Sequence, residues 1–161
     1  MAIPAYMLMK DENGNVIKSS SHVKGRENTA EIYGMKHRIY IPTDADTGAL
    51  MSTRKHEPLL ILKQFCSATP ILYKACSSGK TLGEVKISWY RINDHGKEEE
   101  YFRHTLSKVK IVSIAPSMDD IKNKSQESYG HLEWVGFRYE KIRWEYLEGN
   151  IATEDQWNER N

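Results

Sequence analysis

The side chains that could do acid–base or metal chemistry are present, but their spacing does not suit it. Six histidines occur: His22, His37, His56, His95, His104 and His131. A helical zinc site needs two histidines one turn apart, with a glutamate between them, so that they converge on one ion and its water. No pair here has that spacing and none forms a close cluster with cysteine. These histidines are expected to be surface or hydrogen-bonded groups, and His56, beside Arg54, is the first to inspect. Cys66 and Cys76 are too few for a disulfide scaffold and match neither a redox pair nor a zinc site. They are expected to be small, half-buried apolar side chains. Ser78-Gly79-Lys80-Thr81 resembles the end of a phosphate-cradling loop, but Lys74 stands where that loop needs its first glycine. Asp44 and Asp46 open like a calcium loop. Ala49 then occupies the place of the turn glycine, and Lys55 that of the bidentate glutamate. The run Glu98-Glu99-Glu100 is expected to be a solvated strand start, with paired carboxylates left open. No Gly-x-Ser-x-Gly elbow is present. The expectation is a protein with no catalytic site, no cofactor and no metal.

The elements that would have to position such groups are mainly strands. Val85, Ile87 and Trp89 alternate with Glu84, Lys86 and Ser88, and Val109 and Ile111 alternate with Lys108 and Lys110. Period two marks strands with one buried face. Val135, Phe137 and Tyr139 share one face, whereas Ile142, Trp144 and Tyr146 share the other parity. A one-residue change of parity reverses every later side chain, so a β-bulge or sharp bend is expected near Glu140 and Lys141. Asn13-Gly14 reads as a two-residue hairpin, Asn93-Asp94-His95-Gly96 as a longer one, and Glu148-Gly149-Asn150 as a turn. Strands Glu84–Ile92, Glu98–Thr105 and Leu106–Ile114 are then consecutive antiparallel neighbours. Many short strands of this kind make a barrel or a pair of packed sheets.

Two segments depart from the pattern. One short helix is expected from Pro70 to Ser77, with Thr69 as its cap, Pro70 in its first turn and Gly79 past its end. Ser117 to Glu127 is polar and is expected to be mainly a loop. The stretch from about Pro42 to His56 is long, turn-rich and polar, with few residues to anchor it to its own core. Loops of that length in a compact domain are usually functional or disordered, and this one is a candidate for docking on another subunit.

With 161 residues, residues 1–161 are expected to form a single domain. Its 39% hydrophobic and 28% charged content is globular. The formal net charge of +1 argues against a dedicated nucleic-acid binder, which needs a basic surplus. No run approaches the roughly 20 apolar residues of a membrane span, so no membrane insertion is expected. Ala2 to Met9 is too short for a secretory signal, contains Pro4 and lacks a preceding basic residue; it reads as a first strand.

Taken in order, these segments resemble the haemolysin-coregulated protein (Hcp) family, the inner-tube subunit of bacterial type VI secretion systems. The resemblance is carried by Met1-Ala2-Ile3-Pro4-Ala5-Tyr6, by Ile39-Tyr40-Ile41-Pro42-Thr43-Asp44-Ala45-Asp46-Thr47-Gly48, and by Thr53-Arg54-Lys55-His56-Glu57-Pro58-Leu59. It continues through Pro70-Ile71-Leu72-Tyr73-Lys74-Ala75, Trp89-Tyr90, Val109-Lys110-Ile111-Val112, Tyr139-Glu140-Lys141-Ile142-Arg143-Trp144 and Trp157-Asn158-Glu159-Arg160. It implies a β-barrel-like pair of antiparallel sheets with one helix and a protruding loop. It implies homohexameric rings stacked into a hollow tube, a contractile sheath around the tube and a VgrG-like spike at its tip. The resemblance further implies that small effectors can ride in the lumen, and that the protein is cytoplasmic when assembled and secreted without a cleavable signal. The chain ends shortly past Trp157, so a plain tube subunit with no fused effector domain is expected.

Rings need heterologous contacts, in which two different patches on each subunit match. The expected subunit or ring-stacking contact comprises Pro42, Thr43, Asp44, Asp46, Thr47, Gly48, Arg54 and His56. The alternative is a monomeric β-barrel module for a small ligand or glycan, with Trp134 or Tyr129 as its platform.

Overall fold

Alternating side chains commit a strand to burying one face, and most of this chain spends its alternation on a common interior. The computed structural model describes residues 3–126 and 130–157. In chain order the elements are β1 (Ala5–Lys10), β2 (Val16–Ile17), β3 (Ala30–Ile32), β4 (Gly34–Lys36), β5 (Ile39–Tyr40) and β6 (Lys55–His56). There follow β7 (Leu59–Gln64), α1 (Thr69–Ser78), β8 (Thr81–Ile92), β9 (Glu98–Ser117), a 3-10 turn at Lys124–Gln126, β10 (Leu132–Tyr146) and β11 (Ile151–Gln156).

The main sheet runs β2-β1-β8-β9-β10-β7-β4, with β11 on β10 and β3 on β1. A short run closes it. β3 pairs with β1, placing Ile32 opposite Ala5, while β4 pairs with β7, placing Gly34 opposite Leu62. Between them the Tyr33 N–H donates to the Leu62 carbonyl at 2.8 Å. One segment thus ties both sides of the sheet together, and the sheet curls into a barrel. The expected mainly β, antiparallel, barrel-like fold with one helix is what the chain adopts. Met7, Met9, Leu59, Ile61, Val85, Ile87, Leu106, Val109, Val135 and Phe137 are fully buried in the interior. Each such side chain contributes about 1.5–3 kcal/mol relative to exposure.

The helix extends one residue beyond its expected span at each end. Pro70 lies in the first turn, where its missing N–H costs no bond. Gly79 ends it at φ 66°, a left-handed conformation open to glycine. Leu72 and Ala75 bury into the core. Thr69 is not the cap. Ala68 holds that place without a side-chain bond, and the Thr69 hydroxyl instead donates to Glu133 at 2.8 Å.

The turns lie where the sequence puts them, with one difference in length. The first hairpin is not a two-residue turn at Asn13-Gly14. The Asp11 N–H donates to the Asn15 carbonyl, and the Asp11 carboxylate accepts the N–H groups of Asn13 and Asn15, each at 2.9 Å. That side chain widens the loop to Asp11–Asn15.

The separate strands expected at Glu98–Thr105 and Leu106–Ile114 are one strand, β9. Its buried residues change parity between Leu106 and Val109, and Lys108 between them adopts φ 51°. A single left-handed residue rotates the following side chains without breaking the strand. The same change occurs at the same level in both neighbours. Val109 pairs with Leu82 and Tyr139, Ser107 pairs with Glu84 and Lys141, and the pairings skip Gly83, Lys108 and Glu140. The parity change expected near Glu140 and Lys141 is therefore real, but β10 itself is unbroken. The irregularity is shared by three strands, and the register shift of β10 lies earlier, between Gly136 and Phe137. A Cβ at Gly136 would collide with the Ser113 hydroxyl, so glycine permits the close approach at that shift.

Candidate functional site

The Pro42–His56 segment is an arm with its own internal bonding. Its base is the two-stranded pair β5–β6, with Ile39 opposite His56 and Tyr40 opposite Lys55. Beyond the base, Thr43 bridges Leu50, the Met51 N–H donates to the Pro42 carbonyl at 2.8 Å, and the Asp44 N–H donates to the Ala49 carbonyl at 2.8 Å. The turn is made by Asp44, whose carboxylate accepts the N–H groups of Asp46 and Thr47, each at 2.9 Å. Those two N–H groups, Thr47 first, hold its carboxyl below the usual range. The Gly48 N–H closes the turn on the Asp44 carbonyl at 2.9 Å. The arm is not wholly polar: Ile41, Leu50 and Met51 are exposed along it.

Arg54 and His56 are separated from the other six expected contact residues. They lie at the base and fasten it to the barrel, so the arm is better anchored than its composition suggests. Arg54 Nε and Nη2 grip Asp155 of β11 at 2.5 and 2.7 Å, and Nη2 also donates to the Gln156 carbonyl at 2.8 Å. His56 Nε2 meets the same carboxylate at 2.7 Å, and its Nδ1 meets the Tyr139 hydroxyl at 2.6 Å. His37 Nε2 lies 2.9 Å from that hydroxyl. Asp155 accepts from His56 Nε2–H; in the tautomer that carries only that proton, Nδ1 accepts the phenolic proton and the phenolic oxygen accepts from His37 Nε2–H. Partial burial pushes the Asp155 carboxyl up, but Arg54 and His56 outweigh it and leave it below the usual range. Burial, and then the Asp155 charge, push the Tyr139 phenol well up. Trp157 closes the cluster, with its ring 5.1 Å from that of His56 and the Arg138 guanidinium 4.7 Å over its face.

An aspartate–histidine–hydroxyl line of this kind has the order of a nucleophile-activating triad. Here the hydroxyl belongs to a buried tyrosine whose proton and accepting oxygen are both engaged by histidines. The arrangement can lock geometry; it presents no oxygen for attack.

Several other chemistry-bearing residues are likewise committed. Glu98, Glu99 and Glu100 are not merely solvated: Arg26, Arg91 and Arg103 pair with them at 2.8, 3.0 and 2.7 Å. His104 is buried and accepts the Trp89 indole N–H on Nδ1 at 2.9 Å. His22, His95 and His131 are exposed. Among the described residues no group of three or more His, Cys, Asp or Glu is arranged to hold a metal ion. Trp134 has the Lys36 ammonium 5.4 Å over its ring, and Tyr129 lies outside the described residues.

One feature escaped the sequence reading. Lys63 of β7 and Glu133 of β10 face each other in register and form a fully buried ion pair. The Lys63 ammonium also reaches Cys66 Sγ at 3.3 Å, and Ser19 Oγ lies 3.2 Å from that sulfur. Cys66 is thus not an apolar filler. Burial raises its thiol, but the Ser19 bond and the Lys63 charge outweigh that and leave it lowered. The signal was available: Leu59, Ile61 and Lys63 share one strand parity, as do Glu133, Val135 and Phe137.

Comparison with known proteins places this geometry. The family model described as "Type VI secretion system effector, Hcp" matches residues 6–146. The "Major exported protein" of Pseudomonas aeruginosa is 31% identical over 166 residues, spanning 98% of this chain and 96% of that protein. The structure of the Hcp1 protein from the E. coli EAEC 042 pathovar is 45% identical, covers 97% of this chain and 99% of its own, and superposes with a TM-score of 0.87. The secreted protein Hcp3 from Pseudomonas aeruginosa is 30% identical over 98% of this chain and 100% of its own, with a TM-score of 0.78.

Proposed function

This chain belongs to the Hcp family of type VI secretion proteins, and from that premise we propose that it is a structural subunit of the secretion tube. Copies associate into homohexameric rings, and rings stack into a hollow tube. The surrounding sheath contracts and expels the tube behind its spike, with small effectors carried in the lumen. The protein works by geometry, with no catalytic step, and leaves the cell with the tube it builds.

The observation that supports this reading best is the arm. It bonds internally, carries exposed Leu50 and Met51, and is locked at its base by Arg54 and His56 to β10 and β11. An isolated subunit has no use for a projection that leaves apolar side chains exposed along it. A subunit that must contact another copy does.

Native mass measurement with electron microscopy of the purified full chain tests the reading. The expected result is a hexamer, seen as rings or stacked tubes. A monomer that persists at millimolar concentration overturns it.

A further inference from the structure

A second cluster of reactive groups, distinct from the one that holds the arm, stands where β7 gives way to α1. Lys63 Nζ lies 3.3 Å from Cys66 Sγ, and Ser19 Oγ lies 3.2 Å from the same sulfur. The Lys63 ammonium is fully buried, and it also donates to the Thr69 hydroxyl at 3.3 Å and to Glu133 Oε1. Glu133 Oε2 is equally buried and has no hydrogen-bond partner among the described residues. A cavity of about 130 Å³ lies beside these groups, lined by Cys66 and Lys63 and by Ser20, Ser21 and Thr29. Ser20 is exposed, so the cavity reaches solvent, and Cys66 is only half-buried. A space of that size admits a few molecules as small as water, and hydrogen peroxide is scarcely larger. A sulfur nucleophile, an amine in contact with it and a route for a small oxidant therefore coincide.

We propose that Lys63 and Cys66 are a covalent modification site, joined by an N–S bond, a sulfenamide, when a peroxide enters this cavity. The two atoms already stand within the roughly 3–3.5 Å at which reacting groups are poised. The Cys66 thiolate attacks one peroxide oxygen: an S–O bond forms, the O–O bond breaks, and the departing hydroxide takes a Lys63 proton and leaves as water. Cys66 is then a sulfenic acid, its sulfur oxidised by two electrons and the peroxide reduced by the same two. The Lys63 amine freed in that step attacks the sulfur. An N–S bond forms, the S–OH bond breaks, and this hydroxide takes a further Lys63 proton to leave as a second water. Ser19 and the Lys63 charge favour the thiolate that begins the sequence. The contact with Lys63 sets Cys66 apart from an ordinary half-buried thiol, because an amine in place traps the sulfenic acid before more peroxide oxidises it irreversibly. The remaining Lys63 N–H can still donate to Glu133, but the positive charge of the pair is gone. The reaction lies within one subunit and needs no neighbouring copy.

Hydrogen peroxide added to the full chain carrying C76S, which excludes a disulfide between the two cysteines, tests the bridge by peptide mass spectrometry. The expected product has lost two hydrogens within the segment from Lys63 to Cys66. Trypsin no longer cuts it after Lys63, its thiol resists alkylation, and excess thiol reductant restores both. The parent chain should give the same result, since a disulfide between Cys66 and Cys76 would leave the cut after Lys63 intact. C66S should lose the product altogether. A Cys66 that stays a free thiol, or that stops at its sulfenic or higher acids with Lys63 still cleaved, overturns the bridge. So does the same mass loss in C66S.

Discussion

Arg54 and Asp155 stand 101 residues apart in sequence and form a two-pronged ion pair, Nε to Oδ2 at 2.5 Å and Nη2 to Oδ1 at 2.7 Å. The pair joins the base of the arm to β11. Because His56 shares the same carboxylate and Tyr139 shares His56, one aspartate fixes where the arm leaves the barrel.

Asp155→Asn should loosen the arm while leaving the barrel folded. A charge-assisted, partly screened pair of this kind contributes about 1.5–3 kcal/mol. The subunit should lose no more than that in denaturant unfolding, while amide exchange across residues 42–55 quickens and ring formation falls. Arg54→Lys should not restore the parent behaviour, because an ammonium cannot reproduce the planar fork. Unchanged exchange in both variants would refute the anchor.

Deleting Asp44 to Gly48 separates assembly from folding. Loop closure depends only logarithmically on length, so the isolated subunit should change in stability by less than about 1 kcal/mol. Native mass measurement should show the rings or stacks lost. Parent-like tubes from the deleted chain would remove the arm from the interface.

Lys63→Met should be among the most damaging substitutions. It leaves Glu133 buried and uncompensated, at a cost of about 3–5 kcal/mol. The paired change Lys63→Met with Glu133→Leu should recover much of the loss, because it removes both charges. Urea unfolding of the two variants decides the matter; a single variant as stable as the parent contradicts the buried pair.

Acid should destabilise the fold through His104. Burial first, then the neighbouring His37, push this imidazole down to about 4. Between that value and the ordinary histidine range near 6.5, the unfolded chain binds a proton that the folded chain does not. Stability is therefore full above the ordinary range and is lost as pH falls toward 4, by roughly 3 kcal/mol in all. His104→Asn, which keeps an acceptor for the Trp89 indole, should flatten the stability profile over that window. An equally steep profile in that variant would assign the acid sensitivity elsewhere.

Several features were legible from local sequence because their causes are local. The helix follows from Pro70, Gly79 and the spacing of Leu72 and Ala75. The strands follow from alternation, and the turns from Asn93–Gly96 and Glu148–Asn150. Even the parity change near Glu140 could be read along one strand. Its coordination with Lys108 and Gly83 could not, because it depends on which strands are neighbours.

Local order along the chain accounts for a β-rich protein, one short helix, an outlying segment at Pro42–His56 and the family that its motifs mark. These depend on periods of two and 3.6 residues and on local turn chemistry. Long-range packing alone makes Ala30–Lys36 close a barrel, brings Lys63 and Glu133 together in its wall, and converges His37, His56, Tyr139 and Asp155 to hold the arm. Those contacts bring together residues far apart in the chain. Their free energy comes from desolvation and hydrogen-bond geometry, which exist only after the strands have found their partners.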